Sequence, residues 1–266
     1  MKNLATILTS LSFTLVAMQY ANNAEAIEVQ EIVKQTNHNI LYQGDDGKTK
    51  IDMRIIDSQG RERTRQLTML RKNLDDDDGL QKYYLYFSKP ADINKMVFMA
   101  WKNVNQDDDR WLYLPALDLV RRIAASDERT SFVGSHFFYE DVSGRNIDED
   151  VHELIEETDE HYVVKSVPVD ASSVEFEYYI NWVDKQTFLP IKAEYYNQQE
   201  RVYRTYSVLK VEVIEGYHTI VQSQMEDTLT GAKTILDFSE IDYDIDIPEN
   251  IFSERYLRRA PRKYLR

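Results

Sequence analysis

From Val174 to Trp182 the chain alternates strictly, with Val174, Phe176, Tyr178, Ile180 and Trp182 on one parity and Glu175, Glu177, Tyr179 and Asn181 on the other. Strand side chains point to opposite faces on a period of two, so this run predicts a strand with one apolar and one wetter face. Comparable segments lie at 51–56, 67–70, 81–87, 96–101 and 111–114, more weakly at 117–123, and again at 189–196, 202–213, 217–225 and 234–243. Asp184-Lys185, Glu215-Gly216 and Thr230-Gly231 punctuate them as turns. The expectation is a mainly β chain (α+β) of about ten or eleven antiparallel strands. A load of 18 Tyr against 8 Gly fits such a sheet. One helix precedes it, because Val29, Ile32, Val33, Thr36 and Ile40 keep the i, i+3, i+4, i+7 spacing up to Gly44. Residues 126–153 read as a longer irregular or helical insertion carrying Phe132, Phe137, Phe138 and Tyr139. With no internal repeat and no Pro/Ser-rich linker, residues 27–266 read as one domain.

The first 26 residues read as a leader. Lys2 supplies a positive start, Leu4 to Met18 is apolar but too short for a membrane span, and Ala24-Glu25-Ala26 is an A-x-A cleavage pattern. The expectation is a cleaved signal peptide, 1–26, and a mature protein in the periplasm. The chain has no cysteine, which removes disulfides, thiolate metal sites, cysteine nucleophiles and a lipidated N-terminal cysteine together. Asp and Glu number 46 against 32 Lys and Arg, a net charge of −14, and a field of that sign repels phosphate backbones, so nucleic acid is not an expected partner.

A sheet of this length must curl or be covered. If it curls, an inner concave face exists and the aromatic load lines it. The candidates are Met96, Phe98, Trp111, Tyr113, Phe176, Tyr178, Trp182 and Met225. Alternation shows which residues share a face; a closed core made of the same residues remains the alternative.

Catalytic patterns are absent. The five histidines, His38, His136, His152, His161 and His218, form no close ligand pair, and no G-x-S-x-G elbow or glycine-rich phosphate loop exists. Gly134-Ser135-His136 places serine beside histidine without a strand-turn-helix context. The acidic runs Asp75 to Asp78 and Asp107 to Asp109 sit between strand segments. An EF-hand aligned on Gly79 would put Leu74 at the first ligand position, so hairpin tips are the simpler reading. No catalytic residue, metal or cofactor is expected. Basic residues cluster at Arg61 to Arg65, at Arg121-Arg122 and in a tail of Arg255, Arg258, Arg259, Arg262, Lys263 and Arg266. Of these, Arg121, Arg122, Arg258 and Arg259 are candidates for contact with a partner or with anionic head groups.

The run Trp111-Leu112-Tyr113-Leu114-Pro115-Ala116-Leu117, continued by Val120-Arg121-Arg122-Ile123, Ser131-Phe132-Val133-Gly134-Ser135 and Phe138-Tyr139-Glu140-Asp141, resembles the signature of a LolA-like family of outer membrane lipoprotein-sorting proteins. The closing Glu254-Arg255-Tyr256-Leu257-Arg258-Arg259 is similar to that family's end. His136 departs from the acidic residue expected at its place. The resemblance implies a strongly curved antiparallel half-barrel whose concave face is covered by helices, with an apolar cavity between them for a lipid or the acyl chains of a lipoprotein. It also implies transient membrane contact and transfer toward the outer membrane. An accessory subunit of an envelope transporter of the resistance-nodulation-division (RND) type is the alternative, and a small cavity enzyme a third.

Overall fold

The computed structural model describes residues 27–75, 78–104 and 106–265, so the expected leader and its cleavage pattern lie outside the described residues. The first element is helix α1 (Val29–Asn37), which a π turn over His38–Tyr42 prolongs to Tyr42, two residues short of Gly44. A π turn spends one extra residue and rotates the downstream residues by about 100°. Burial therefore passes to Tyr42, 1% exposed, while the expected apolar position Ile40 is 44% exposed.

The remainder of the chain supplies thirteen strands: β1 (Asp46–Ile56), β2 (Glu62–Asn73), β3 (Gln81–Lys89), β4 (Val97–Lys102), β5 (Asp109–Leu114), β6 (Leu119–Ile123), β7 (Asp150–Glu157), β8 (His161–Pro168), β9 (Tyr178–Asp184), β10 (Pro190–Tyr196), β11 (Val202–Ile214), β12 (Tyr217–Asp227) and β13 (Lys233–Tyr243). They make one antiparallel sheet in the order β6-β5-β4-β3-β2-β1-β13-β12-β11-β10-β9-β8-β7. The expected ten or eleven strands fall short by β7 and β8, whose residues carry no clean alternation. The sheet is open, with β6 and β7 at its edges. Two meanders meet along the β1–β13 seam, where Ile51 lies opposite Phe238. Because β6 and β7 are consecutive in sequence, the connection between them has to run from one edge of the sheet to the other. It carries the short helix α2 (Tyr139–Ser143).

Three apolar clusters hold these parts together. On one face of β1 to β5, Met53, Leu85, Phe98 and Leu112 pack with Phe132 and Tyr139 of the edge-to-edge connection. On the opposite face, Tyr84, Met99 and Trp111 pack under Ile247, Ile251, Phe252 and Leu257, the last from helix α3 (Glu254–Arg258). The Tyr84 hydroxyl donates to the Tyr256 carbonyl at 2.8 Å and the Trp101 indole to the Phe252 carbonyl at 3.0 Å. Strands β2 to β5 are thus covered on both sides, which explains why β4 reads as a continuous apolar run. The third cluster places Ile32 of α1 against Val164 of β8 and Val183 of β9.

Candidate functional site

Ten strands, β3 through β1 and β13 through β7 in sheet order, contribute side chains to one cavity of about 430 Å3. Laid flat at about 4.8 Å per strand, those ten would span roughly 43 Å, far more than one cavity of this size can face. The sheet therefore curls around it. Its wall changes character along the curl. On β1, β2, β3 and β13 it is apolar, with Ile51, Met53, Leu67, Leu85, Leu236 and Phe238. On β8 to β12 it is tyrosine and small polar, with Ser166, Tyr179, Asn181, Tyr195, Tyr206 and Ser223. Burial pushes the Tyr195 and Tyr206 hydroxyls up to about 12. Burial, with the nearby Asp150 carboxylate, holds Tyr179 well above its usual value. All three stay protonated at neutral pH. Tyr179 donates to Asp150 at 2.9 Å.

Both helices nearest the cavity reach its wall. Val33, Thr36, Leu41 and Gln43 come from α1 and its prolongation, and Glu140, Asp141 and Val142 from α2. Ion pairs clamp α2. Glu140, 3% exposed, accepts Arg129 and, at 3.1 Å, Arg145. Arg129 also reaches Glu175 at 2.6 Å, and Arg145 reaches Asp150 at 3.1 Å. Asp141 accepts the Phe138 amide at 2.6 Å and pairs with Arg204 of β11. The Arg129 and Arg204 guanidinium groups lie 4.8 and 4.1 Å from the Phe138 ring centroid. Tyr139 packs against Phe98 at 5.4 Å and Phe132 at 5.5 Å between centroids. Phe138-Tyr139-Glu140-Asp141 thus has a physical reading, since each residue fastens α2 by a different contact. Behind it, Gly144 turns the chain at φ +76, where a Cβ would strike Leu41.

His136 holds the same connection to the sheet. Its main-chain N–H donates to Thr234 Oγ1 at 3.0 Å, and its Nδ1 meets that oxygen at 2.9 Å. Burial lowers the imidazole below its ordinary pKa, so at neutral pH the ring is uncharged and shares one hydrogen bond with the Thr234 hydroxyl. The Ser135 hydroxyl engages Phe137 at 3.2–3.3 Å rather than His136.

Among the residues proposed from sequence, the structure brings Phe176 and Met225 to the cavity wall. Met96 and Phe98 pack in the cluster beside it. Trp111 and Tyr113 belong to the opposite face, Trp111 edge-on to Trp101 at 4.8 Å and Tyr113 donating to Asp118 at 3.3 Å. Tyr178 and Trp182 also face away: β9 starts at Tyr178, and the cavity takes the other parity, Tyr179, Asn181 and Val183. Outside, Tyr178 stacks on Tyr196 at 4.6 Å, and Lys165 and Lys192 cover Tyr178 and Trp182 at 4.2 and 4.5 Å. Arg121 and Arg122 stand on edge strand β6, paired with Asp127 at 3.2 Å and with Asp109. Arg258 joins Asp118 at 3.0 Å beside them, and Arg259 is exposed. The wall residues Ile51, Met53, Leu67 and Met69 were available in the alternation of β1 and β2. Glu140 entered only through the family signature, and Arg129, Arg145 and Arg204 carried no signal of their own, since Arg129–Glu175 and Arg204–Asp141 join residues far apart in sequence.

The chain is thus an open antiparallel sheet curled about a largely apolar cavity, with an ion-clamped helix on the link between its edges. Residues 79–259 match the model of a protein family whose description reads "-like: Uncharacterized protein", and the chain belongs to that family. It is similar to the crystal structure of a DUF1329 family protein from Desulfovibrio piger, with TM-score 0.77 and 28% identity over 86% of this chain and 97% of that one. A putative outer membrane lipoprotein-sorting protein domain from Vibrio parahaemolyticus superimposes with TM-score 0.78 at 25% identity, over 86% and 97% of the two chains. A LolA superfamily protein from Nitrosomonas europaea shares the fold with TM-score 0.67 at 22% identity, covering 87% and 100%. Among curated proteins no relative matches.

Proposed function

We propose that the protein is a periplasmic carrier that takes a lipid or the acyl chains of a lipoprotein into the cavity and moves it toward the outer membrane, with no catalytic step. The observation that carries this reading is the apolar wall of Ile51, Met53, Leu67, Leu85, Leu236 and Phe238 around about 430 Å3 of space. The similarity to a lipoprotein-sorting domain supports it. Burying a methylene is worth about 0.8 kcal/mol, so a chain of roughly sixteen carbons gains on the order of 12 kcal/mol before ordering costs. Such a gain needs no metal or covalent chemistry, and it also opposes escape, so release requires a competing acceptor or a second conformation. The leader motif supports the periplasmic placement. No helix among the described residues is long and apolar enough to cross a membrane. Native mass spectrometry of protein purified from its own periplasm tests the proposal. A bound amphiphile is expected; ligand-free protein that also rejects acyl probes would overturn it.

A second reading, docking on an RND-type transporter, draws on the open edge at β6, which carries exposed Arg121 and Arg122 beside Arg258. Charge reversal at Arg121 and Arg122 should then abolish transporter pull-down with lipid occupancy intact; unchanged pull-down removes the reading.

A further inference from the structure

The cations on the cavity wall are engaged by the protein itself. Arg129 and Arg145 meet Glu140, and Lys48 meets Asp242 at 3.0 Å. Arg71 donates to the Gln43 carbonyl, to Gly44 O at 3.4 Å and to Asn73 Oδ1 at 2.8 Å, at the C-terminal end of the helical segment, where a cation is favoured. Four neutral polar side chains on the same wall differ: Thr36, Gln43, Asn181 and Tyr195. Thr36 and Gln43 are each only 8% exposed, and Thr36 Oγ1 has no hydrogen-bond partner. Among the described residues, the Gln43 amide, the Asn181 amide and the Tyr195 hydroxyl also meet no hydrogen-bonding group. Unpaired polar groups in apolar surroundings are costly, and folded proteins retain few. These four are donors and acceptors without net charge.

We infer that the cavity selects an amphiphile with a neutral hydrogen-bonding head group, an alcohol or an amide, held by Thr36, Gln43, Asn181 and Tyr195. The tail then lies along the apolar wall at Ile51, Met53 and Phe238. For a carboxylate or phosphate head, Arg129, Arg145 and Lys48 are already neutralised by carboxylates and the Arg71 donors are held by the Gln43 and Gly44 carbonyls and Asn73, so desolvating the anion is poorly compensated, which disfavours it. The inference rests on the carrier reading of the same cavity and adds the chemistry of the ligand.

Displacement of the fluorophore N-phenyl-1-naphthylamine from the full mature chain provides the test, with hexadecane, 1-hexadecanol, hexadecanamide and palmitate delivered from cyclodextrin. The alcohol and the amide are expected to compete about tenfold better than hexadecane and palmitate, the gain of one or two net hydrogen bonds. Thr36→Val, Gln43→Met, Asn181→Leu and Tyr195→Phe should each shrink that advantage while leaving hexadecane competition unchanged. Equal competition by alcohol and alkane in the unmodified protein, or tighter binding of palmitate than of the alcohol, overturns the head-group assignment and leaves the carrier reading standing. If neither the fluorophore nor any competitor binds, the carrier reading fails and the assignment with it.

Discussion

One carboxylate oxygen of Asp141, Oδ2, accepts both the Phe138 amide at the start of α2 and the guanidinium of Arg204 on β11. The edge-to-edge connection is thereby tied to the middle of the second meander by a buried charge pair. Removing one member leaves the other charge buried, which costs about 3–5 kcal/mol. Arg204→Met and Asp141→Leu should each lower unfolding free energy by that order in urea titrations. The double variant should recover part of the loss. Strictly additive losses would show that the pair is not coupled.

Lys102 is buried and donates to the Ser143 and Gly144 carbonyls at 3.1 and 3.0 Å. Burial lowers its pKa to about 8 from 10.5. Below pH 8 both folded and unfolded chains carry the proton. Between about 8 and 10.5 the unfolded chain holds more protons than the folded one, so stability rises with pH across that window. Measured against Lys102→Met, the unmodified protein should gain, on the order of 3 kcal/mol in all, between pH 8 and 10.5. A flat difference between the two curves would contradict the burial of the amine.

Ala193 of β10 lines the cavity and is 4% exposed. Ala193→Phe should place a ring in the space assigned to the ligand, at a cost below the roughly 1–3 kcal/mol of overpacking a filled core. The expected result is loss of co-purifying amphiphile with a melting temperature shifted by only a few degrees. Retention of the amphiphile at unchanged stoichiometry would place it elsewhere.

Phe176 and Trp182 share one parity in sequence and lie on opposite sides of the sheet. Phe176 is 3% exposed and packs edge-on to Tyr179 at 5.5 Å and Tyr195 at 5.6 Å. Phe176→Ala should cost about 3–5 kcal/mol and impair acyl-probe binding. Trp182→Ala removes an outer contact with Lys192, worth about 0.5–1 kcal/mol, and should leave probe binding unchanged. Equal effects on binding would reverse the assignment of faces.

The same pair shows where the sequence is legible. Periodicity located β9 and most other strands, and the turn dipeptides bounded them, because backbone alternation is local. Which parity faces inward is not local. The run from Val174 crosses the point where the strand begins, and both faces of β9 carry large rings, with lysines covering the outer ones. Edge strand β7 escaped notice because Val151 and Ile155 are exposed among acids, so burial leaves no mark on its pattern. The clamp on α2 was legible only as a family signature, and its partners Arg129, Arg145 and Arg204 emerged from the fold.

The sheet order has a consequence for how the chain assembles. Each meander is built from hairpins between neighbours and can form as it is synthesised, but the seam joins β1 to β13, near opposite ends of the described chain. Until β13 arrives, β1 offers a long unpaired edge whose inward residues Ile51, Met53 and Ile55 are wet. Closing that seam is a non-local event with a large loop entropy, so it falls late and sets the pace of folding. During that interval the half-built sheet is open to pairing with another copy, so the risk of misassembly rises with the concentration of unfinished chains.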